Sequence, residues 1–478
     1  SGFLFNLPNK VQSIITTRER VAFYSSISLD CLPEEKSLEL IKQQAEEKGI
    51  TLSKQEKLEI YHASKGVPLA SLYATGCKKY SRETNSFILS KNLNLLRLRY
   101  SSINEKTCSV KNDIKKILNS SPDCQLLIII SFFPYGATFE AIAQIIGCKI
   151  NTFELDHGIE KLKTLSLIEQ DNTTYFIHPI TRKYVAQELG QYHDVVEKKM
   201  RNRWVKWHLA FAKKYGGRDW ENWKENYNQL DKEWSNLLAV LEWCSGKGHY
   251  QIVRDIWQNI NQFANLYGYW NARIFWLGWL IEESKKRGYW KIASYFISEK
   301  GFTLIQMGEL PEAEDSLNEA LDLMKAFGLY TLYPNENFEH QTLVCQHFAL
   351  LSIEKQEYHQ AFDWLEEERE SIELMKNCRV KKQLISRRKI AIDTLEAEIF
   401  FRKEEYKNAE DAYKKVRDNS AQIGWHRRKN QAQERIRVIK QKLSSDKLST
   451  ISQSVKKSNR PVQEKRSKRL NSSINLYG

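Results

Sequence analysis

From residue 196 to about residue 441 the chain reads as long amphipathic helices, with apolar positions on one stripe and charged positions opposite. No strong strand signal interrupts them. Upstream the pattern is more varied. Val11 to Thr17 is a short β-branched run that reads as a buried strand, followed by the polar Thr16-Thr17-Arg18-Glu19-Arg20. Residues 31–120 read as helices. Leu32-Pro33-Glu34-Glu35 opens the first of them, with proline and acids in the first turn, and Ala45 to Gly49 closes it. A second helix follows Ser53 and a third begins near Pro68.

Residues 121–195 change character. Leu126 to Phe132 reads as a buried helix that Phe133-Pro134-Tyr135-Gly136 breaks. Thr138 to Ile146 and Thr152 to Leu165 read as two more. Leu167-Ile168-Glu169, a turn at Gln170 to Thr174, and Tyr175-Phe176-Ile177 read as a β-hairpin, and Pro179 starts another helix. Three helices and a hairpin make a winged-helix pattern.

Three later segments align on an alanine, at Ala313, Ala361 and Ala409, spaced by 48 residues. The first also holds Gly301, Gly308 and Leu317; the second, Ala349 and Leu365; the third, Ala397 and Tyr413. A small residue where two helices cross lets them approach closely, and a large residue four positions on fills the next groove. The pattern resembles the tetratricopeptide repeat, with helices or loops longer than that family's. The stretches Gly248 to Trp257 and Gly268 to Trp276 look like earlier, irregular copies. Stacked helix pairs make a concave surface suited to a protein partner. Trp257, Trp270, Trp276 and Trp279 are candidate interface anchors. Tryptophan at helical spacing also builds cores, so both roles are open for them.

Composition narrows the function. A chain of 478 residues with 41% apolar content can fill two to four cores. Half of the net charge of +14 lies in residues 441–478, which carry nine Lys or Arg against two acids. That tail, from residue 442, reads as basic and disordered, a candidate tether to nucleic acid or anionic lipid. The rest of the chain is too nearly neutral to mark a nucleic-acid binder. The eight cysteines form no CxxC pair and read as reduced thiols of a cytoplasmic protein, without a metal site. The longest apolar run, Leu126 to Phe133, falls well short of the ~20 residues of a membrane span.

Three motifs in order then suggest a family. Leu7-Pro8 with Ile14-Ile15-Thr16-Thr17-Arg18, Leu32-Pro33-Glu34-Glu35, and Gly66-Val67-Pro68-Leu69-Ala70 resemble the back half of an NB-ARC module of the STAND signalling ATPases. A winged helix ending in Phe176-Ile177-His178-Pro179 and a helical-repeat sensor follow, as in bacterial members; Trp234-Ser235-Asn236-Leu237 to Trp243 resembles the start of that sensor. The implied layout is residues 1–30 as the end of the nucleotide-binding domain, 31–120 as an ARC-like bundle, 121–195 as the winged helix and 196–441 as repeats. The fold class is mainly α.

The resemblance implies three nucleotide contacts. Arg18 resembles the sensor arginine at the γ-phosphate, Pro68 the proline beside base and ribose, and His178 the histidine on the ADP β-phosphate. A surface ion pair, a first-turn proline and a buried capping histidine are their plainer readings. Many relatives have Asp after the histidine, where this chain has Pro179. No G-x-x-x-x-G-K-[ST] loop occurs in the sequence and no acidic Walker B strand precedes Leu7, so hydrolysis by this chain alone is not expected. ADP or ATP with Mg²⁺ would bind only with the missing half supplied. The chain opens on Ser1-Gly2 rather than Met, so further sequence upstream is expected.

The function these readings imply is a partner-binding regulatory portion of a signalling switch, with self-association on activation an option. A nucleotide-independent scaffold is one alternative. A winged-helix DNA-binding regulator is another, set against the acids Glu154, Asp156 and Glu160 on its recognition-helix candidate.

Overall fold

The computed structural model describes residues 32–64, 66–68, 71–72, 74–76, 122–147, 152–164, 166–178, 181–182, 185, 194–217, 219, 223–329, 338–375 and 382–457. The strand expected at Val11 to Thr17 lies outside them. The chain forms two compact units. One comprises residues 1–132 and 136–198; the other comprises residues 133–135 and 199–478.

The first unit opens with α1 (Glu34–Glu47) and α2 (Lys54–Ser64), packed around Ile41, Ala45, Ile50, Leu52 and Ile60. Pro33 takes an extended conformation as the cap of α1. Ser53 and Glu56 form a capping box ahead of α2: the Ser53 N–H donates to Glu56 Oε2 at 2.9 Å, and the Glu56 N–H donates to Ser53 Oγ at 3.2 Å. Next come α3 (Pro122–Ser131), β1 (Ala137–Thr138), α4 (Phe139–Ile146), α5 (Thr152–Thr164), β2 (Glu169–Asp171) and β3 (Thr174–Phe176). The sheet order is β1-β3-β2, antiparallel throughout. The hairpin turn is tighter than the expected Gln170 to Thr174. Asn172 takes a left-handed φ of 51°, which asparagine tolerates, so Thr174 already pairs with Asp171. β1 was not expected; two residues carry no period to read.

The second unit is a helical-repeat array. It contains all but the first turn of α6 (Asp194–Tyr215), then α7 (Trp223–Gly246), α8 (Tyr250–Leu266), α9 (Trp270–Lys286), α10 (Trp290–Met307) and α11 (Leu310–Ala326). These are followed by α12 (Phe338–Glu354), α13 (Tyr358–Met375), α14 (Lys382–Arg402), α15 (Tyr406–Gln422) and α16 (His426–Lys457). Ala313, Ala361 and Ala409 are each the fourth residue of α11, α13 and α15, and each is fully buried. Gly301 shows how close the helices come: a Cβ there would lie 2.8 Å from Leu317 Cδ2. Ala349, Ala397, Leu365 and Tyr413 fill the equivalent places in the next two pairs, all buried.

A helix-ending signal runs through the array. Left-handed glycines at 248, 268, 288, 308 and 328 close successive helices 20 residues apart. In each, the next N–H reaches back five residues, as Glu309 N does to Leu304 O at 3.0 Å. Gln356 and Glu404 hold the place of Gly308 in the following pairs, with φ of 64° and 62°. A side chain there strains the backbone by about 1 kcal/mol. Gln356→Gly and Glu404→Gly are each expected to stabilise the chain by roughly 0.5–1 kcal/mol in urea titration. A loss on either substitution would show that the side chain makes a compensating contact.

The basic tail expected from residue 442 starts later, because α16 continues to Lys457. No proline or glycine interrupts that stretch; the next breaker is Pro461. No helix among the described residues is long and apolar enough to cross a membrane.

Candidate functional site

Alternate helices of the repeat unit enclose a cavity of about 670 Å³. α8, α10, α12 and α14 supply most of its wall, α11, α13 and α15 supply none among the described residues, and α9 contributes only Arg273. That arginine is the fourth residue of its helix, where α8, α10 and α11 have Val253, Ala293 and Ala313. A long cation thus stands where its neighbours carry small or branched apolar residues, and its head reaches into the interior.

Arg273 is 1% exposed and its charge is matched by Glu299, to which it donates a short hydrogen bond. The rest of its fork is satisfied: Nε donates to Asn261 Oδ1 at 2.9 Å, and Nη1 to Asn265 Oδ1 at 3.1 Å and Thr303 Oγ1 at 2.6 Å. Asn261 Nδ2 donates in turn to Glu299 Oε2 at 2.9 Å. Burial would push the Glu299 carboxyl up; Arg273, joined by His347, the Asn261 amide and Arg388, more than offsets that and holds the carboxyl below its ordinary value. This network forms one rigid, fully paired side of the cavity.

α12, α14 and the start of α16 complete the wall. His347 pairs Nδ1 with Ser298 Oγ at 2.8 Å and stacks on Phe302 at 4.7 Å between centroids. Burial pushes His340 and His347 both down to about 4, so they are neutral rings at physiological pH. Arg388 Nη1 donates to Gln346 Oε1 at 3.0 Å.

A clasp joins the two ends of the array beside this cavity. Asp219, in the connection between α6 and α7, is fully buried and accepts hydrogen bonds from Arg387 and Arg427. It also accepts from Trp425 Nε1 at 3.0 Å and Gln262 Nε2 at 3.0 Å. Burial would push its carboxyl up, but the two guanidiniums more than offset that and keep it ionised below its usual range. Gly216 and Gly217 carry the chain to it: a Cβ at Gly216 would fall 2.3 Å from the Asn259 carbonyl oxygen, and the Gly217 N–H donates to that oxygen at 2.7 Å.

The residues singled out from the sequence lie elsewhere. Trp257 is fully buried and Trp276 is 4% exposed, so packing takes up both rings; Trp270 and Trp279 are half-buried. Pro68 is exposed at the first position of a helix, and His178 is exposed after β3 rather than being a buried cap. The His178 carbonyl accepts the Arg182 N–H at 2.9 Å, one helical turn on. Arg18 lies outside the described residues, as does Pro179. The cavity residues Arg273, Glu299, His347 and Arg388 were missed. Their signal was a charged or polar residue on an otherwise apolar stripe. Among the described residues, no group of three His, Cys, Asp or Glu could hold a metal ion. Cys244 and Cys345 are buried free thiols, and burial pushes Cys244 up to about 12, which makes it an inert core residue.

No family model matches the chain. The transcription activator GutR of Bacillus subtilis (strain 168) is 23% identical over 214 residues, covering 42% of this chain and 25% of that protein. The chain therefore spans about a quarter of that relative's length. Among solved structures, a STAND signal-transduction ATPase with a tetratricopeptide repeat sensor from Pyrococcus horikoshii aligns over 86% of this chain and 63% of its own, with 16% identity and a TM-score of 0.29. A Rap protein complexed with competence and sporulation factor aligns over 86% of this chain and 99% of its own, with 9% identity and a TM-score of 0.30. The chain is a mainly helical protein with repeat-like packing.

Proposed function

We propose that this chain is the partner-receiving, regulatory part of a STAND-type signalling switch. The observation that carries the proposal is the repeat unit's cavity, walled by alternate helices and lined by apolar residues such as Phe302, Leu343 and Leu395 interspersed with charged and amide side chains. An apolar concavity with a few convergent polar groups is suited to recognition. The order of α3, β1, α4, α5, β2 and β3 supports reading residues 121–195 as a winged helix. Pro68 and His178 are exposed and accessible to a nucleotide. With Arg18 they would contact ADP or ATP once a P-loop-bearing partner or segment supplied the phosphate cradle. Binding of a protein partner to the repeats would then favour the open form.

The DNA-binding alternative is weaker on charge. Glu154, Asp156 and Glu160 are all exposed on α5, the helix that would enter the groove. Cross-linking mass spectrometry on the full chain in native extract tests the main reading. The expected result is protein cross-links on residues 223–440 that disappear when Arg273→Met opens the cavity wall. Cross-links confined to residues 32–178, or none, would count against it.

A further inference from the structure

We propose that the cavity of the repeat unit is a binding site for a small organic carboxylate, with Arg388 as its charge partner and Gln346 and His347 as adjoining hydrogen-bond groups. The inference rests on reading this unit as the receiving domain and names what enters it. At about 670 Å³ the space has the size of a small-molecule pocket, roughly 300–1,000 Å³.

Four arginines stand on the wall among the described residues, and Arg428 lies over the Trp425 ring at 4.9 Å from its centroid. Arg273 is matched by Glu299 and Arg387 by Asp219, each through a direct ion pair. Arg388 instead gives its hydrogen bond to the neutral Gln346 amide, and its ion-pair oxygen on Glu339 stands at 4.0 Å. Glu339 is 47% exposed in its side chain and well solvated, whereas the Arg388 side chain is only 14% exposed. A guanidinium largely withdrawn from water is stabilised by an anion in contact with it, and its planar fork fits a carboxylate on two parallel bonds.

The surroundings leave that place to a ligand. The Glu299 carboxylate accepts its hydrogen bonds from Arg273 and Asn261, and Arg388 acts on it only as the weakest of its neighbouring charges, without a direct contact. Burial pushes Glu368 up to about 8, with Arg388 only partly opposing the shift, so it brings no full negative charge at neutral pH. His340 and His347 are neutral. Ser298 occupies Nδ1 of His347, and among the described residues no hydrogen bond engages its Nε2. Gln258 on α8 faces the same space and can meet the polar body of the ligand.

The test is ligand-observed NMR, by saturation transfer, on the full chain. The probes are benzoate, glutarate, N-acetyl-leucine and N-acetyl-phenylalanine, each beside its primary amide. The expected result is saturation of at least one acid and of no matching amide. Arg388→Gln should weaken that acid at least about tenfold, while Arg388→Lys keeps part of the binding. Arg437→Gln, which removes an arginine paired with Glu434 and absent from the cavity wall, should change nothing. Circular dichroism of each variant confirms that it is folded. Silence from all four acids, equal response of acids and amides, or acid binding that survives Arg388→Gln would overturn the proposal. A protein cross-linked to the repeats with no acid bound would sink this inference alone. Acid binding without any protein partner would sink the partner reading and leave this one standing.

Discussion

Replacing Asp219 by alanine is expected to cost the repeat unit about 3–5 kcal/mol, a drop large enough to move its urea midpoint by more than 1 M. The carboxylate is fully buried, and Arg387 and Arg427 are 8% exposed each. Removing it leaves two guanidiniums withdrawn from water beside one another, which costs far more than the ion pair itself contributes. Trp425 Nε1 and Gln262 Nε2 lose their acceptor at the same stroke. Asp219→Asn restores a hydrogen-bond acceptor without the charge and should recover only a minor part. The pH dependence has a definite sign. Because the folded carboxyl is held below its ordinary value, its contribution is complete above the unfolded aspartate value of about 3.8 and is lost as pH falls through the folded one. The gap between wild type and Asp219→Ala should therefore be full at pH 7 and shrink in acid. A loss under about 1 kcal/mol would mean that the clasp is solvated and the array is held by packing alone.

The clasp also explains why much of the site could not be read from the sequence. Asp219 lies 168 residues from Arg387 and 208 from Arg427, and no local pattern links them. The alanines at 313, 361 and 409 were legible because close helix crossing demands a small residue whatever surrounds it. The hairpin was legible because β-branched and aromatic residues flank a turn, although its register was not. The earlier helices were read as irregular copies, yet glycines 248, 268, 288, 308 and 328 mark them at a strict interval. That interval of 20 residues is one helix plus its turn, half of a repeat, so a search for whole repeats passes over it. The cavity was hidden for a related reason. Arg273, Glu299, His347 and Arg388 each look like one misplaced polar residue on a core stripe, and only the superhelical stacking of α8, α10, α12 and α14 brings the polar walls together. The tryptophans drew attention as anchors because they are large, and Trp257 and Trp276 are buried for the same reason.

Glu368 should show the opposite behaviour to Asp219, and its removal is expected to stabilise the protein. It is fully buried in α13, and neither carboxyl oxygen has a hydrogen-bond partner among the described residues. Burial pushes it up to about 8, with Arg388 and Arg369 only partly opposing the shift. In the unfolded chain it ionises near 4.5. Between those two values the unfolded state has released a proton that the folded state keeps, so stability falls as pH rises from about 4.5 to 8. Glu233, pushed up to about 7 by burial, adds a smaller slope of the same sign. The buried neutral histidines act the other way: His208, held down to about 3, and His340 and His347, both near 4, cost stability as pH drops below the ordinary histidine value. Wild type should therefore be most stable in a narrow band near pH 6–7. Glu368→Met fills nearly the same volume without a charge or an unmet hydrogen bond. It should raise the unfolding free energy at pH 8 by a few kcal/mol, leave it almost unchanged at pH 5, and shift the optimum toward alkaline pH. Urea titrations of both proteins from pH 5 to 9 give the answer. Parallel pH curves would show that Glu368 is ionised in the folded state, with Arg388 as its counter-charge, and would then also withdraw Arg388 from the ligand site assigned to it.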